Sequence, residues 1–316
     1  MHSPRVKRLL NGVLMLDKAP GASSNAALQQ AKRLYQAAKA GHAGTLDPLA
    51  TGLLPILFGE ATKFSSDLLE ADKTYAAEIR LGVSTTTADA EGEVIATRSV
   101  SVTPDQLAAV LLNFRGTILQ TPPLYSALKH AGKPLYAYAR AGIEIKRAPR
   151  QVTIHALELQ WFEGDRLALA VTCSKGTYIR SIAHDLGEML GCGAHLAALR
   201  RTAVGRFSLA CAHTLASLEA MPAAERDACL LPVDALLQSL PEVRLEAAQQ
   251  ARFVQGQAVP WDGPPQARVR VYGPTGALLG LGEAGANGMI SPKRVIADTE
   301  TSPQRIEASQ KIAENP

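Results

Sequence analysis

The feature that most constrains this chain is a glycine- and proline-containing stretch at residues 41–56, GHAGTLDPLATGLLPI. Glycine adopts backbone angles that are closed to other residues, so the stretch can form a tight loop. Pro48 disfavours the helical conformation for Asp47, which favours an extended backbone and a projecting carboxylate. The apolar run at residues 53–57 predicts that the loop is anchored to a core. Such a loop is suited to presenting a reactive carboxylate, but an ordinary Asp-Pro turn with a glycine-rich connector has the same composition.

Composition excludes several classes of protein. The 316 residues include 47% hydrophobic and 20% charged side chains, as in a soluble globular protein of about two domains. No apolar run approaches the ~18 residues that cross a bilayer, and Asp17 and Lys18 interrupt the apolar run after the basic N-terminus. We therefore expect no membrane span, no secretion signal and a cytoplasmic location. The four cysteines show no CxxC spacing and the seven histidines no HExxH pair, so we expect reduced thiols and no metal site.

The formal net charge of +4 is modest, but lysines and arginines are clustered. Charge runs are commonly solvated faces, whereas clusters with little neighbouring acid can bind the phosphates of a nucleic acid. Both interpretations are open at this point. The clusters are Arg5, Lys7 and Arg8; Lys146, Arg147 and Arg150; and Arg200, Arg201 and Arg206.

Periodicity and turn residues predict an α+β fold with a mixed, largely antiparallel sheet. We expect a helix capped by Ser23 or Ser24 and ending just before Gly41, and a second helix that starts with a capping box at Thr103. Short strands separated by glycine turns predict a small β-barrel after about residue 241. The predicted units are residues 1–240, residues 241–298 and a disordered tail, residues 299–316. Predicted strands include residues 13–16, 152–162 and 167–173, and predicted helices include 103–115, 178–190 and 247–254.

Four further blocks accompany the glycine-rich stretch in a fixed order. They are VLMLDK followed by PGASS (residues 13–24), KTY (73–75), YSALK (125–129) and SKGTYIR (174–180). With them the chain resembles, over nearly its whole length, the TruB family of pseudouridine synthases, the bacterial tRNA pseudouridine-55 synthases. The family usually places proline directly after the lysine of the first block, whereas here Ala19 separates Lys18 from Pro20.

The resemblance implies isomerisation of a uridine in the T-loop of tRNA, at position 55, to pseudouridine, without a metal or other cofactor. Residues 1–240 would be the catalytic domain, and residues 241–298 a PUA-like RNA-binding domain. The implied partner is the T-arm of tRNA. We expect no obligatory protein partner and a monomeric enzyme.

The resemblance also implies roles for individual residues. Asp47 occupies the catalytic position, Arg180 would be its cationic partner, and Asp89 would share the guanidinium group. Tyr75 would stack on the flipped base and could take part in proton transfer. The remaining substrate-binding candidates are His42, Tyr178, Leu199, Lys18, Lys63 and Lys129.

Three questions stay open from the sequence. Asp47 could attack the ribose, attack the base or abstract a proton. The chain could be a guide-RNA-dependent enzyme of the same superfamily. It could also be a tRNA-binding or tRNA-folding module that uses the same surface without catalysis.

Overall fold

The computed structural model describes residues 7–126 and 128–296, which form two main β-sheets with helices packed against them. The predicted tail, residues 299–316, lies outside the described residues. The helices are α1 (Ser24–Leu34), α2 (Ser65–Glu70), α3 (Pro104–Leu111), α4 (Leu135–Arg140), α5 (Ile179–Met189), α6 (Leu215–Ala220), α7 (Ala223–Ala228) and α8 (Ala247–Val254). The strands are β1 (Gly12–Lys18), β2 (Ala40–His42), β3 (Thr51–Phe58), β4 (Lys73–Leu81), β5 (Val83–Thr85), β6 (Val94–Thr97), β7 (Gly116–Gln120), β8 (Lys129–His130), β9 (Lys133–Pro134), β10 (Arg150–Glu163), β11 (Arg166–Cys173), β12 (Ala194–Val204), β13 (Phe207–Ser208), β14 (His213–Thr214), β15 (Glu242–Arg244), β16 (Val259–Pro260), β17 (Gln266–Tyr272), β18 (Leu278–Ala284) and β19 (Met289–Val295).

The larger sheet has the strand order β14-β1-β3-β12-β4-β11-β10-β7, and β2 and β13 pair with β3 and β12 respectively. The pairs β1–β14 and β3–β12 are parallel, whereas β4, β10 and β11 form antiparallel ladders with their neighbours. The predicted α+β fold with a mixed, largely antiparallel sheet is therefore confirmed.

Helix caps follow the sequence more closely than helix ends do. The Ser23 side chain accepts a hydrogen bond from the backbone N–H of Ala26, and Thr103 and Gln106 form the predicted capping box. However, α1 ends at Leu34, and Gln36 then takes a left-handed conformation with φ 53°. The prediction that Gly41 directly follows this helix is wrong, because Gly41 lies in β2.

Two hydrophobic clusters of the larger sheet share neighbouring side chains. In the first, α3 and α5 pack on β4, β10, β11 and β12, with Leu107 and Ile182 fully buried. In the second, α1 packs on β1 and β3 through residues such as Ala31. Tyr75 and Leu199 contact both clusters, so these two side chains mark the boundary between the two cores.

The smaller sheet has the order β15-β17-β18-β19-β16 and encloses its own core around Phe253. Within the described residues β15 and β16 form its two edges, so the predicted small β-barrel is a curled half-barrel. It packs on the larger unit, because Leu281 and Ile296 join a cluster that includes residues of β1 and β3. Among the described residues no helix is both long enough and apolar enough to span a membrane.

Candidate active site

The glycine-rich stretch forms β2, a loop and β3. The two strands are antiparallel, and β3 is buried almost throughout, which anchors the loop to the core as predicted. Between them the chain turns tightly, with the backbone N–H of Ala50 donating to the carbonyl of Asp47 at 3.1 Å. The Asp47 side chain is 41% exposed. The loop therefore presents a carboxylate that solvent or a ligand can reach.

Arg180 links Asp47 to a second carboxylate. It belongs to the first turn of α5, and its side chain is only 5% exposed. Its Nη2 lies 3.0 Å from Oδ2 of Asp47, and its Nε lies 3.5 Å from Oδ2 of Asp89. The guanidinium also donates to the carbonyls of Thr87 (3.1 Å) and Tyr125 (2.6 Å). Arg180 is thus fixed by four acceptors, and the structure brings together the three residues that the sequence grouped.

Asp89 is held in place by its own loop. Its side chain is 4% exposed, and Oδ1 accepts hydrogen bonds from the Thr87 hydroxyl and from the backbone N–H of Glu91 (3.1 Å). The backbone groups on either side of Asp89 bond to Leu196 of β12, both at 3.0 Å. This buried carboxylate therefore orients the guanidinium from the side away from solvent.

The charges around Asp47 act in opposite directions. Burial raises the pKa of its carboxyl, the Arg180 guanidinium lowers it, and the Asp89 carboxylate raises it again. The net effect is a pKa above the usual value. Arg180 thus favours the ionised form against the cost of desolvation, which is the function expected of a fixed cation beside a reactive carboxylate.

Lys18 is buried beside the loop and stabilises it through hydrogen bonds to backbone carbonyls. Its Nζ donates to the carbonyls of Ala19 (2.9 Å), Ala22 (2.7 Å) and Pro48 (3.2 Å). The resemblance made Lys18 a substrate-binding candidate, and in this structure its partners are backbone carbonyls of the protein. Burial lowers the pKa of Lys18, against the opposing effect of Glu91 and Asp47.

The arginines of the basic clusters are not all exposed and unpaired. Arg8 pairs with Asp227 through two hydrogen bonds, and Arg200 pairs with Asp17 in the same way. Arg201 is fully buried, because successive side chains of a strand point to opposite faces. The phosphate-binding interpretation is therefore wrong for Arg201, and the alternation of β12 was the signal that separates it from Arg200.

Arg201 is the residue near the site whose importance sequence reasoning missed. Its Nε donates to the carbonyl of Leu53 (2.7 Å) and its Nη2 to the carbonyl of Gly44 (2.9 Å), so one side chain bridges the two ends of the loop. A Cβ atom at Gly52, where φ is +98°, would lie 2.2 Å from the Arg201 carbonyl oxygen, which explains why this position requires glycine. The charge of Arg201 also acts on the nearby Tyr75, whose pKa it lowers.

The tyrosines and His42 line the same region. Burial raises the pKa of Tyr75, with Arg201 opposing, and burial also raises the pKa of Tyr178, with Arg180 among the opposing groups. Burial lowers the pKa of His42, and Arg201 lowers it further. Both tyrosines and His42 are therefore uncharged near neutral pH, as suits residues that would contact a base rather than a phosphate.

Lys63 and Lys129 lie in other parts of the molecule. The Nζ of Lys63 bonds to Oε2 of Glu60 (2.5 Å) and to the carbonyl of Val295 (2.8 Å) in β19. Lys63 borders a cleft of about 500 Å³ between residues 62–66 and β19, which is also lined by Lys293 and Arg294. Lys129 is exposed on the β8–β9 hairpin.

The fold has close counterparts among solved structures. A chain in the "Crystal Structure of a Cbf5-Nop10-Gar1 Complex" aligns with a TM-score of 0.67 and 29% identity, covering 87% of this chain and 78% of that chain. A chain in the "Structure of H/ACA RNP bound to a substrate RNA containing 2'-deoxyuridine" aligns with a TM-score of 0.69 and 24% identity, covering 93% of this chain and 88% of that chain. The second likeness concerns the fold alone.

Sequence comparison assigns the class. Residues 32–179 match the family described as "TruB family pseudouridylate synthase (N terminal domain)". Residues 180–238 match the "tRNA pseudouridylate synthase B C-terminal domain", and residues 241–296 match "Pseudouridine synthase II TruB, C-terminal". Fold and sequence together define a pseudouridylate synthase.

Full-length relatives narrow the assignment to one family. Proteins named "tRNA pseudouridine synthase B" are 55% identical in Nitrosospira multiformis (93% of this chain, 98% of the relative) and 57% identical in Azoarcus sp. (92% and 96%). A protein of the same name in Burkholderia mallei is 56% identical (93% and 97%). The chain belongs to the TruB family of pseudouridylate synthases.

Proposed function

We propose that this enzyme isomerises the uridine at position 55, in the T-loop of tRNA, to pseudouridine. The observation that carries the proposal is the half-exposed carboxylate of Asp47, held at 3.0 Å by the buried guanidinium of Arg180. The names of the full-length relatives support tRNA as the substrate. The reaction breaks the bond between the ribose C1′ and N1 of the base and forms a bond between C1′ and C5. A proton leaves C5 and one is returned to N1, so no electrons are exchanged with a redox partner.

Asp47 supplies the reactive group of this proposal. A carboxylate can attack the ribose or the base as a nucleophile, or remove a proton as a general base. Each of these roles requires the ionised form, which Arg180 favours. Asp89 contributes by fixing Arg180, because its carboxylate faces the guanidinium and is buried away from the substrate side.

Tyr75, Tyr178, Leu199 and His42 form the proposed base-binding surface. A uridine inside a folded loop must leave its stack to reach Asp47, and aromatic side chains replace stacking at ~1–3 kcal/mol per base. Tyr75 packs against both cores, so its ring is held from two sides. A rigid ring favours one orientation of the flipped base.

We assign catalysis to residues 1–240 and RNA docking to both units, with residues 241–298 as a PUA-like domain. Lys63 and Lys129, together with exposed cations of β19, are the proposed phosphate contacts, because phosphate contacts supply affinity and orientation rather than chemistry. Lys18, which is fully buried, would act through the loop. We further propose that the enzyme works as a monomer in the cytoplasm without an obligatory protein partner.

The decisive experiment is single-turnover conversion of an unmodified tRNA transcript by an Asp47→Asn variant. Asparagine keeps the size and the hydrogen-bonding reach but removes the charge, so we expect no detectable pseudouridine. tRNA affinity should remain within about tenfold, ~1.4 kcal/mol. Substantial turnover by the folded variant would contradict the assignment.

Asp165→Asn is the matched control. Asp165, on the β10–β11 hairpin, is 42% exposed like Asp47 and also pairs with an arginine, Arg80, at 3.1 Å, although Arg80 is more exposed than Arg180. This variant should keep the wild-type rate. The same assay separates the alternatives: a wild type that converts tRNA only with an added guide RNA would indicate the guide-dependent class, and one that only binds tRNA would indicate a binding module.

A further inference from the structure

A single buried side chain fixes the backbone directly before Asp47. The hydroxyl of Ser24 accepts a hydrogen bond from the N–H of Leu46 at 2.7 Å and donates to the carbonyl of the same residue at 2.8 Å. Ser24 is 2% exposed. Both main-chain groups of a loop residue are thereby satisfied by one oxygen atom on α1.

The partner of Asp47 is fixed by a similar arrangement. Oε1 of Gln120 accepts from the N–H of Tyr178 at 2.7 Å, and its Nε2 donates to the carbonyl of the same residue at 3.0 Å. Gln120 is also 2% exposed, at the end of β7. Tyr178 is the N-cap residue of α5, and its own side chain makes no capping hydrogen bond. The amide of Gln120 therefore sets where this helix begins, two residues before Arg180.

In both cases the backbone N–H has no partner in regular secondary structure. Leu46 lies in the loop between β2 and β3. Tyr178 directly precedes α5; its carbonyl accepts the first helical hydrogen bonds, from Ser181 (3.1 Å) and Ile182 (3.3 Å), whereas its N–H is held by Gln120. A displacement of either segment would change the 3.0 Å distance between Asp47 and Arg180. Misplacement of a catalytic group by about 1 Å can cost on the order of 100-fold in rate.

We propose that Ser24 and Gln120 are positioning residues for the isomerisation, which hold Asp47 and Arg180 at the separation that the reaction needs. The proposal rests on the proposed function, since it concerns the geometry of that same site. Neither side chain touches the carboxylate or the guanidinium in the described contacts. Both act through the main chain of a neighbouring residue.

Gln120→Glu and Gln120→Met provide the sharpest test. A neutral glutamic acid can accept from the N–H of Tyr178 and donate to its carbonyl, as glutamine does. An ionised glutamate has no donor, so one of its oxygens faces the Tyr178 carbonyl without a hydrogen bond. Methionine keeps the volume and makes neither bond. Several charged or titratable groups surround this position. Arg150 lies opposite Gln120 on β10, and Arg147 donates to the carbonyl of Pro122. The others are Tyr178, Arg180 and, beyond Arg180, Asp47.

We expect the single-turnover rate of Gln120→Met at saturating tRNA to fall about 10- to 100-fold at every pH, with tRNA affinity within about threefold of wild type. The rate of Gln120→Glu relative to wild type should be low at pH 8 and rise as the pH falls, because protonation restores the donor to Tyr178. A pH-independent ratio for Gln120→Glu, or wild-type rates in both folded variants, would overturn the proposal. If Gln120→Met fails to fold, the pH dependence of Gln120→Glu alone decides.

Matched controls separate positioning from a general loss of stability. Gln249 likewise accepts from one backbone N–H (Glu246, 3.0 Å) and donates to one carbonyl (Pro260, 3.1 Å), but in the first turn of α8 in the C-terminal unit. Gln249→Glu should leave the relative rate unchanged across the same pH range. Ser24→Ala should lower the rate about tenfold or more without altering affinity. Failure of these expectations in an active wild type would reject the positioning roles alone, whereas an inactive wild type would reject the proposed function.

Discussion

Replacing Arg180 by lysine tests how much of the chemistry depends on the shape of the cation rather than on its charge. Arg180 serves Asp47, Asp89 and the carbonyls of Thr87 and Tyr125, and a single ammonium cannot reach all four acceptors. Removing a partner from a buried charge costs ~3–5 kcal/mol. Asp89 is buried, whereas Asp47 is 41% exposed and is partly compensated by solvent, and lysine retains the charge, so we take the lower end, ~3 kcal/mol. Expressed in the chemical step, this corresponds to about a 100-fold lower rate.

The assay is single-turnover pseudouridine formation at saturating tRNA, with affinity and thermal unfolding measured separately. Arg8→Lys is the control, because Arg8 likewise pairs with a carboxylate, Asp227, here through two contacts and at a more exposed position. We expect its rate to equal that of wild type. If Arg180→Lys weakens tRNA binding and leaves the rate unchanged, Arg180 is a phosphate contact and the assigned pairing with Asp47 is mistaken.

Three other predictions follow from the same geometry. Asp89→Asn removes a charge that raises the pKa of Asp47, so the loss of single-turnover activity on acidification should move to lower pH; an unchanged or higher midpoint would contradict this. Substituting Lys293 and Arg294 by alanine should weaken binding to whole tRNA and reduce its salt dependence by about one unit per lost phosphate contact, without slowing the chemical step or weakening binding to an isolated T-arm stem-loop. Treatment of the wild type with a chelator should not change the rate; inhibition that added metal reverses would overturn the expectation of cofactor-free catalysis.

The sequence predicted those parts of the fold that depend on local preferences. The cap at Thr103 was predicted from its capping-box spacing, and the first helix cap was narrowed to Ser23 or Ser24, of which Ser23 is the observed one. The hairpin of β10 and β11 follows from strand patterns that flank a short turn. The end of α1 was not predictable in this way. The chain leaves the helix at Gln36, a non-glycine residue with a positive φ, and Ala38 donates to the carbonyl of Arg8 from a distant part of the chain.

In the candidate site, too, the sequence predicted the residues that belong to motifs but not those that act through non-local contacts. Motifs identified Asp47, Asp89 and Arg180, and the structure places them in contact. Motifs gave no indication that Gln120 touches the start of α5, because a hydrogen bond between an amide and a distant main chain leaves no periodic pattern. Arg201 was grouped with surface cations because no strand was predicted there; only the observed β12 places Arg200 and Arg201 on opposite faces.

The two members of the central ion pair differ in their freedom to move, and this difference has a chemical consequence. Arg180 is buried and has four acceptors, whereas Asp47 is half exposed on a loop that is held through its neighbours Leu46 and Pro48. A bound RNA would cover the exposed side of Asp47, and both the lost water and the nearby phosphates would raise the pKa of its carboxyl. The guanidinium is the group that counters this rise, and its attraction strengthens as water is excluded. Because Arg180 is fixed before the substrate arrives, that stabilisation needs no rearrangement at the moment of reaction, which is the arrangement that favours catalysis over mere binding.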